Sequence, residues 1–557
     1  MAIARLRLAA MVVKVRSYLG VTAVAGLLSV ALSSCGTPPA PRAAEDPNNK
    51  PVGSQAPTAA APEARFAEVD DAKVSSLRRV TLRDDNRKVT AEVPLVPNAR
   101  NLSQAIEVVR EKQLRLAHWA KADQVAINSK VIAASPDAIG VAVQSVSTEN
   151  GAEVRRPVTI WYDPSDAQSY SAPILIEESR WADFAKAVAD CGAEQKLDKT
   201  KLASALADAP APEGNGPAIG FSSEGDVVLQ FGNGVLDGDK QGLVLPKDKV
   251  AGMLSAYGMK AQSAASKPGE YTATATPKPQ APGKEASASP SGTATPSAPG
   301  TTPSAGATPK SASATPTSSG TPKGSATPAA GQRPSTAIGP DCRVLKCVAL
   351  TYDDGPAAGT PKVVQALDDA KAAATFFQMG QSIKAFPDNV RLVASSGYEV
   401  GNHSMNHPDL AKLSGAKLAE ETTGNSERLQ AITGRPPLLF RPPYGSHKDA
   451  TDKVIGDGGM AIINWNVDTM DWSTKNTQKT ENSAVYQGLA KPSSIVLMHD
   501  IHDSTVAAAP TIVKDLQDKG ATLVTVSELT VNSGGVYAGH GYCNGTNVAQ
   551  NGYGCKG

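Results

Sequence analysis

Two adjacent carboxylates stand at the end of a predicted strand. Asp353 and Asp354 follow the apolar and β-branched run at 348–352. Gly355 and Pro356 then break the pattern. A buried strand that ends in acids is typical of α/β barrels, which carry their chemistry at the carboxyl ends of the strands. Because neighbouring strand residues point to opposite faces, we expect one acid to bind a metal ion and the other to move a proton. An Asp-Gly turn with two solvated acids is the alternative interpretation.

Two histidines could complete a metal site. His403 and His407 follow the strand pattern at 398–401. On a helical turn this spacing presents both imidazoles to one ion, although such a pair taken alone is more often incidental. Two histidines and the carboxylate of Asp354, with a position left for water, form a catalytic rather than a structural metal set. This set favours Zn²⁺, and Co²⁺, Mn²⁺ or Ni²⁺ are alternatives.

The segments that must position these residues alternate between strand and helix patterns. Strand patterns begin at Cys347, Thr375, Tyr398, Leu438, Ala461, Ile495 and Leu523. Helical spacing occurs between them, for example at 362–370, 417–432 and 511–518. The alternation predicts parallel β/α units that close into a barrel or form a doubly wound sheet.

Five motifs in this region occur in a fixed order. They are Thr-Tyr-Asp-Asp-Gly-Pro at 351–356, His-Ser-x-x-His-Pro at 403–408, Arg-Pro-Pro-Tyr-Gly at 441–445, Asp-x-x-Asp-Trp at 468–472 and Leu-Met-His at 497–499. Residues 345–530 thereby resemble the NodB-like polysaccharide deacetylases, carbohydrate esterase family 4. The resemblance implies an α/β fold, a distorted barrel of seven or eight strands. Tyr352 stands where the family usually has Phe. The amino-acid sequences at 466–469 and 499–502 are most similar to those of the peptidoglycan N-acetylglucosamine deacetylases.

The resemblance also implies a role for the first residues of the set. Asp354, His403 and His407 would hold the metal ion. Asp353 would take a proton from water, and Arg441 would keep Asp353 ionised and oriented. Arg441 taken alone would more often be a surface ion-pair partner.

The remaining motif residues are expected to act on the substrate. The backbone N–H of Tyr444 would bind the oxyanion, and Trp472 would wall the acetyl pocket. His499 would protonate the departing amine, while Asp471 would fix its tautomer and raise its basicity. His502 is interpreted as a neighbour of the site without a role. Taken singly, His499 could be a core residue and Asp471 could be a helix cap.

The first 35 residues have the composition of an export signal. Basic residues at 5–16 precede an apolar run at 18–32, which meets Leu-Ser-Ser-Cys at 32–35. This arrangement is typical of secretory signals. The ending resembles the lipobox of bacterial lipoproteins, which implies a lipid on Cys35 and a location at the outer face of the cell membrane. An ordinary signal peptide or a membrane-spanning helix is the alternative.

Composition divides the chain into an export signal at 1–35, a Pro/Ala spacer at 36–64, an α+β domain at 65–262, a Ser/Thr/Pro/Ala-rich linker at 263–338, a deacetylase-like domain at 339–531 and a Gly-rich tail at 532–557. The α+β domain shows no metal-ligand or nucleophile set, and its role could be wall binding or sensing. The linker lacks apolar periodicity and predicts a flexible coil. We therefore expect no fixed contacts between the two domains.

The cysteines predict two disulfides outside the cytoplasm. Cys342 and Cys347 precede the last domain, and Cys543 and Cys555 lie in the tail. Four cysteines allow three pairings. The pairs 342–347 and 543–555 are favoured because each closes a short loop. Cys191 is left without a partner.

The expected function is a metal-dependent N-deacetylase of a cell-wall polysaccharide, with N-acetylglucosamine of peptidoglycan as the favoured substrate and a monomer as the favoured state. A net charge of +1 gives no support for nucleic-acid binding. An O-acetyl esterase of acetylated xylan or a chitin-type oligosaccharide deacetylase would use the same chemistry. A wall-glycan binding or sensing lipoprotein with an inert barrel is an alternative of another class, and the presence of Asp353 and His499 argues against it.

Overall fold

The computed structural model describes residues 63–236, 241–272 and 331–545. The predicted signal, the lipobox Cys35, nearly all of the spacer, most of the linker and Cys555 lie outside these residues. Within the described part, no helix is both long enough and apolar enough to cross a bilayer.

A six-stranded sheet forms the first half of the α+β domain. Its strands, in spatial order, are β1 (Arg78–Asp84), β2 (Val89–Leu95), β3 (Gln124–Ser135), β4 (Ala138–Glu149), β5 (Ala152–Asp163) and β6 (Gln168–Ser171). Helix α1 (Arg100–Trp119) crosses from β2 to β3, which pair in parallel, whereas the other neighbours are antiparallel. A crossover helix is the usual way to join parallel neighbours.

A smaller sheet and three helices complete this domain. They are α2 (Trp181–Glu194), α3 (Lys199–Leu206), β7 (Ala218–Phe221), β8 (Val227–Gln230), β9 (Gly242–Leu245) and α4 (Ala256–Ser266). Trp161, Phe184 and Leu229 belong to the apolar core that these elements share with the large sheet.

Parallel strands alternate with helices in the second domain. The strands are β10 (Cys347–Asp353), β11 (Thr375–Gln378), β12 (Glu399–Asn402), β13 (Leu439–Phe440), β14 (Ala461–Ile463), β15 (Val467–Asp468), β16 (Ser494–His499), β17 (Thr522–Val524) and β18 (Gly541–Tyr542). The helices are α5 (Thr360–Asp369), α6 (Gly380–Ala385), α7 (Pro387–Ser395), α8 (Gly415–Ala419), α9 (Asn425–Thr433), α10 (Asp449–Asp457), α11 (Asp471–Thr474), α12 (Thr477–Asn482), α13 (Gly488–Ala490), α14 (Asp503–Asp518) and α15 (Val526–Thr530).

The strands make one curled sheet around β10, which confirms the predicted distorted β/α barrel. Their spatial order is β15-β16-β10-β11-β12-β13-β14-β18, and β17 also pairs with β10. No strand pair in the described residues joins β15 to β18, so the barrel is open there. Every residue of β10 is buried. Leu350 packs in one apolar cluster and Ala349 in another, as alternation along a strand requires.

The Gly-rich tail contributes to this sheet. Gly541 and Tyr542 of β18 pair in parallel with Ile462 and Ile463 of β14. The sequence gives no signal for such a short strand, because two residues are too few for a periodic pattern.

The two domains are in direct contact, so the expectation of no fixed contacts is wrong. Helix α1 is buried along most of its length. Asn101 donates to the carbonyl of Val531 at 3.0 Å, and Gln104 donates to the hydroxyl of Thr530 at 2.9 Å. Buried amides of this kind need such partners.

The same helix reaches the amino ends of the parallel strands. Arg115 donates to the carbonyl of Gly397 at 2.6 Å and forms an ion pair with Glu528 in which both side chains are buried. Arg100 donates to the carbonyl of Leu438 at 2.8 Å. Helix α1 therefore covers the end of the barrel opposite to the carboxyl ends of its strands.

The described ends of the predicted linker pack on the α+β domain. Tyr271 forms an isolated parallel β-bridge with Val74. After the undescribed segment, the carbonyl of Thr336 accepts a hydrogen bond from the N–H of Ser171 at 2.8 Å.

The disulfide between Cys342 and Cys347 is confirmed. Cys543 is also disulfide-bonded, and its predicted partner Cys555 lies outside the described residues. Among the described cysteines, Cys191 is free, as expected.

Candidate active site

The two acids at the end of β10 point in different directions. Asp353 is buried, with 2% of its surface exposed. Asp354 has a φ of 67°, in the left-handed region that residues other than glycine rarely adopt. The next residue, Gly355, has no room for a side chain, because a Cβ there would lie 2.6 Å from a carboxylate oxygen of Asp500. This local conformation turns the carboxylate of Asp354 away from the strand and toward the histidines.

Asp354, His403 and His407 form a compact group of ligand atoms. Oδ1 of Asp354 lies 3.4 Å from Nε2 of each histidine. All three ligand atoms lie within 4.8 Å of one another. Although burial opposes ionisation, the interaction with His403 holds the pKa of Asp354 below its usual range. The aspartate is therefore present as the carboxylate that metal binding requires.

The residues fit a divalent metal ion. Oδ1 of Asp354 is buried and lacks a hydrogen bond within the described part of the chain. Nδ1 of His403 lies 2.7 Å from the carbonyl oxygen of Arg441. Since a carbonyl only accepts, Nδ1 carries a proton, so Nε2 is the nitrogen left to bind an ion beside the carboxylate. In metal-binding histidines, the ring nitrogen that does not bind the metal typically donates a hydrogen bond of this kind.

The histidines are not on a helical turn, contrary to the expectation from their spacing. The segment between them is an irregular loop in which Ser404 has a φ of 65° and His407 a φ of 60°. The N–H of His407 donates to Oγ of Ser404 at 2.9 Å. Local side-chain hydrogen bonds compete with helix formation in this way.

Arg441 contacts Asp353 directly, and its predicted role of keeping this acid ionised and oriented stays a prediction. Its Nη1 donates to Oδ1 of Asp353 at 2.8 Å and to Oγ1 of Thr351 at 2.6 Å. The other guanidinium nitrogens donate to the carbonyls of Ile463 and Asn464. Oδ2 of Asp353 is directed toward His403, 3.7 Å from its Nε2.

His499 and Asp471 form the second predicted pair. Nδ1 of His499 lies 2.9 Å from Oδ1 of Asp471. Oδ2 of Asp471 accepts from the backbone N–H of His499 at 2.8 Å and from the hydroxyl of Thr505 at 2.6 Å. Burial alone would lower the pKa of His499, but the hydrogen bond and charge of Asp471 raise it to about 9. The imidazole is therefore an acid with its Nε2 available to substrate.

Tyr444 and Trp472 border the site on an open surface. Tyr444 is 69% exposed and Trp472 is 48% exposed. The ring centroids of Tyr444 and His407 are 4.6 Å apart. Their roles in binding the oxyanion and the acetyl group stay predictions.

The sequence alone assigns no role to three neighbouring residues. Thr351 and Thr505 hydrogen-bond to Arg441 and Asp471 respectively. Asp500 is buried, and this burial raises its pKa to about 7 against the effect of its hydrogen bond from Thr360. Only its position directly after His499 could have indicated it.

Comparison with known proteins gives consistent matches over the second domain. The family described as Polysaccharide deacetylase matches residues 342–463. A peptidoglycan-N-acetylglucosamine deacetylase of Bacillus cereus is 37% identical over 185 residues, 31% of this chain and 67% of the relative. The peptidoglycan-N-acetylmuramic acid deacetylase PdaC of Bacillus subtilis is 36% identical over 185 residues, 33% of this chain and 38% of the relative. The chain thus spans less than half of the length of the second relative.

Among solved structures, a T48 deacetylase with substrate is 38% identical, with a TM-score of 0.35, over 36% of this chain and 98% of that chain.

The parallel β/α sheet carries this group of acids and histidines at its carboxyl edge, and the matched relatives are deacetylases, so the chain is a hydrolase. By the identity and coverage of its relatives, the chain belongs to the polysaccharide deacetylase family.

Proposed function

We propose that this enzyme removes the N-acetyl group of N-acetylglucosamine in peptidoglycan by metal-dependent hydrolysis. The observation that carries the proposal is the group formed by Asp354, His403 and His407 next to Asp353. The matched relatives from Bacillus cereus and Bacillus subtilis are peptidoglycan deacetylases, which favours peptidoglycan as the polysaccharide.

The metal ion would be held by Asp354, His403 and His407. Two imidazoles and one carboxylate favour zinc over Co²⁺, Mn²⁺ or Ni²⁺ as the resident ion. When bound, the ion supplies Lewis acidity that polarises the acetamide carbonyl and eases the deprotonation of water.

Asp353 acts as the general base. Because Oδ1 accepts from Arg441, Oδ2 is the oxygen free to take the proton of the attacking water. The water oxygen bonds to the acetamide carbon, and the backbone N–H of Tyr444 binds the resulting oxyanion. A positioned base contributes roughly 10²- to 10⁴-fold to the rate of such a step.

His499 acts as the general acid. Its Nδ1 is held by Asp471, so Nε2 delivers the proton to the departing nitrogen as the C–N bond breaks. The products are acetate and a free amine. Proton exchange with solvent then restores the carboxylate of Asp353 and the imidazolium.

Acetate release from defined substrates tests this function. Full-length protein is treated with a chelator, reloaded with zinc, and assayed on peptidoglycan, N-acetylglucosamine oligomers and acetylated xylan. We expect zinc-dependent release from the first two, with the Asp353→Asn variant as the inactive control. Activity on xylan alone would instead support the O-acetyl esterase, and binding without acetate release would support the inert-barrel alternative.

We also propose that the protein is a lipid-anchored monomer outside the cytoplasm, attached through Cys35. The export signal and the Leu-Ser-Ser-Cys motif support the anchor. The disulfide between Cys342 and Cys347 supports an oxidising compartment.

A further inference from the structure

One buried carboxylate, that of Glu421, accepts several hydrogen bonds from the loop that carries both histidines. Oε2 of Glu421 accepts from the backbone N–H of Met405 at 3.0 Å and from that of Asn406 at 2.8 Å. Oε1 accepts from the side-chain amide of Asn406 at 2.7 Å. Met405 and Asn406 are two of the three residues that lie between His403 and His407. The carboxylate of Glu421 thus holds the backbone segment that sets the distance between the two imidazoles.

Glu421 owes its position to a widened turn of helix. Residues Glu420–Gly424 form a π-helical turn between α8 and α9. The carbonyl of Thr422 in this turn accepts from Nδ2 of Asn402 at 2.9 Å, and Nδ2 of Asn425 donates to Oδ1 of Asn402 at 2.8 Å. The turn is therefore joined to the end of β12, the strand that leads into His403. π-Helical turns occur frequently at functional sites.

The opposite side of the loop is closed by α6. The N–H of Gly380 donates to the carbonyl of Ser404 at 3.0 Å, and the N–H of Gln381 donates to that of Met405 at 2.9 Å. A Cβ on Gly380 would lie 2.4 Å from the sulfur of Met405, so the approach is close. Glu421 and α6 hold the loop from two sides in a conformation that needs support, since Ser404 and His407 both have positive φ.

Glu421 is not itself placed to bind the ion. Both of its oxygens accept hydrogen bonds from the loop, and it does not belong to the group of metal-ligating atoms found in the described residues. We propose that Glu421 is a positioning residue that holds His403 and His407 at the separation required for metal binding. This inference rests on the metal site of the proposed function.

The proposal predicts a loss of metal affinity. Outer partners of metal ligands typically change affinity by about 10- to 100-fold when they are replaced. Glu421→Ala leaves the N–H of Asn406 without this acceptor, so we expect at least a tenfold higher Kd for zinc. Glu421→Gln retains an acceptor oxygen and loses the charge, so its Kd should lie between that of the wild type and that of Glu421→Ala.

The experiment measures zinc affinity of metal-free full-length protein by competition with a chromogenic chelator. Glu420→Gln, which changes the exposed neighbouring carboxylate, is the matched control and should keep the wild-type Kd. Absorption spectra of the cobalt-substituted variants provide a second measurement that is independent of activity. The spectrum of Glu421→Ala should differ from the wild type if the ligand geometry relaxes.

The outcomes separate this inference from the proposed function. A lower melting temperature of Glu421→Ala with an unchanged Kd and cobalt spectrum would show a purely structural role and overturn the inference. Wild-type protein that binds no zinc would overturn the metal-dependent function itself. If Glu421→Ala does not fold, Asn406→Ala removes the side-chain contact to Oε1 and should still raise the Kd, and an unchanged Kd in that folded variant would also overturn the inference.

Discussion

Asp353 and His499 are register partners on the neighbouring parallel strands β10 and β16. The proposed base and the proposed acid therefore lie at the same level of the sheet, on adjacent strands. Arg441 approaches Asp353 and Asp471 approaches His499, so each proton-transfer group has its own charged partner. This arrangement lets a single acetamide lie between the groups that receive and deliver protons.

Asp353→Asn should abolish turnover while zinc remains bound. The asparagine cannot accept the proton of water, and the loss of a general base costs roughly 10²- to 10⁴-fold in rate. Acetate release and metal content should be measured on the same preparation. Asp354→Asn is the control, because it should lose zinc and activity together. Loss of stoichiometric zinc in Asp353→Asn would show that the two acids have exchanged roles.

We expect the pKa of His499 to set the alkaline limit of activity. Since the acid must be protonated, activity should fall as the pH rises through its pKa, which is about 9 in the metal-free protein. A divalent cation near Asp354 repels the imidazolium, so zinc should move this limit to a lower pH. NMR titration of the imidazole with and without zinc measures both values.

The raised pKa of His499 also makes the stability of the fold depend on pH, and this stability falls with rising pH, as activity does. A pKa raised in the folded state, compared with about 6.5 for a free histidine, stabilises the fold fully below pH ~6.5. This contribution is lost as the pH rises toward 9. Asp471→Asn should lower the pKa of His499 and shift the activity limit with it. If the alkaline limit of activity is unchanged in this variant, a group other than His499 sets that limit.

The motif residues could be found from the sequence because their chemistry depends on short, ordered patterns. Asp354, His403 and His407 come together as expected. The loop conformation between the histidines could not be predicted, because it depends on Glu421 and Gly380, which have no pattern relating them to the site. The i, i+4 spacing also fits a helical turn, and only tertiary contacts decide between the two.

Domain docking could not be predicted for a different reason. Asn101, Gln104 and Arg115 of α1 are polar residues that normally face solvent on an amphipathic helix. Their partners lie in the second domain, and Arg115 and Glu528 are 413 residues apart in sequence. A Pro-rich segment between two domains gives no information about whether they touch, because it can connect docked domains as easily as separate ones.

Replacement of Cys35 tests the lipid anchor. Cys35→Ala removes the sulfur that would carry the lipid, so the protein should leave the membrane fraction or remain unprocessed. Detergent phase separation of wild type and variant measures the change. Cys191→Ala, which alters the free cysteine in the α+β domain, is the matched control and should partition as the wild type does. Wild-type protein in the aqueous phase would contradict the lipobox interpretation.

The contact between the domains should stabilise the enzyme without taking part in the reaction. Arg115→Met leaves the buried carboxylate of Glu528 unpaired, and breaking such a pair costs about 3–5 kcal/mol. We expect this loss in the free energy of unfolding measured with denaturant. Arg83→Met changes an exposed arginine of the same domain and should cost less than about 0.5 kcal/mol.

Turnover of the folded Arg115→Met variant should stay close to the wild-type value. Helix α1 covers the amino ends of the strands, whereas the acids and histidines lie at the carboxyl ends. We expect kcat on N-acetylglucosamine oligomers to remain within about threefold, which corresponds to ~0.65 kcal/mol in the barrier. The assay must be run with zinc saturated and at a temperature where circular dichroism shows full folding. A tenfold lower kcat under those conditions would mean that the docked domain also shapes the active site, and unchanged stability would mean that the two domains do not dock through this ion pair.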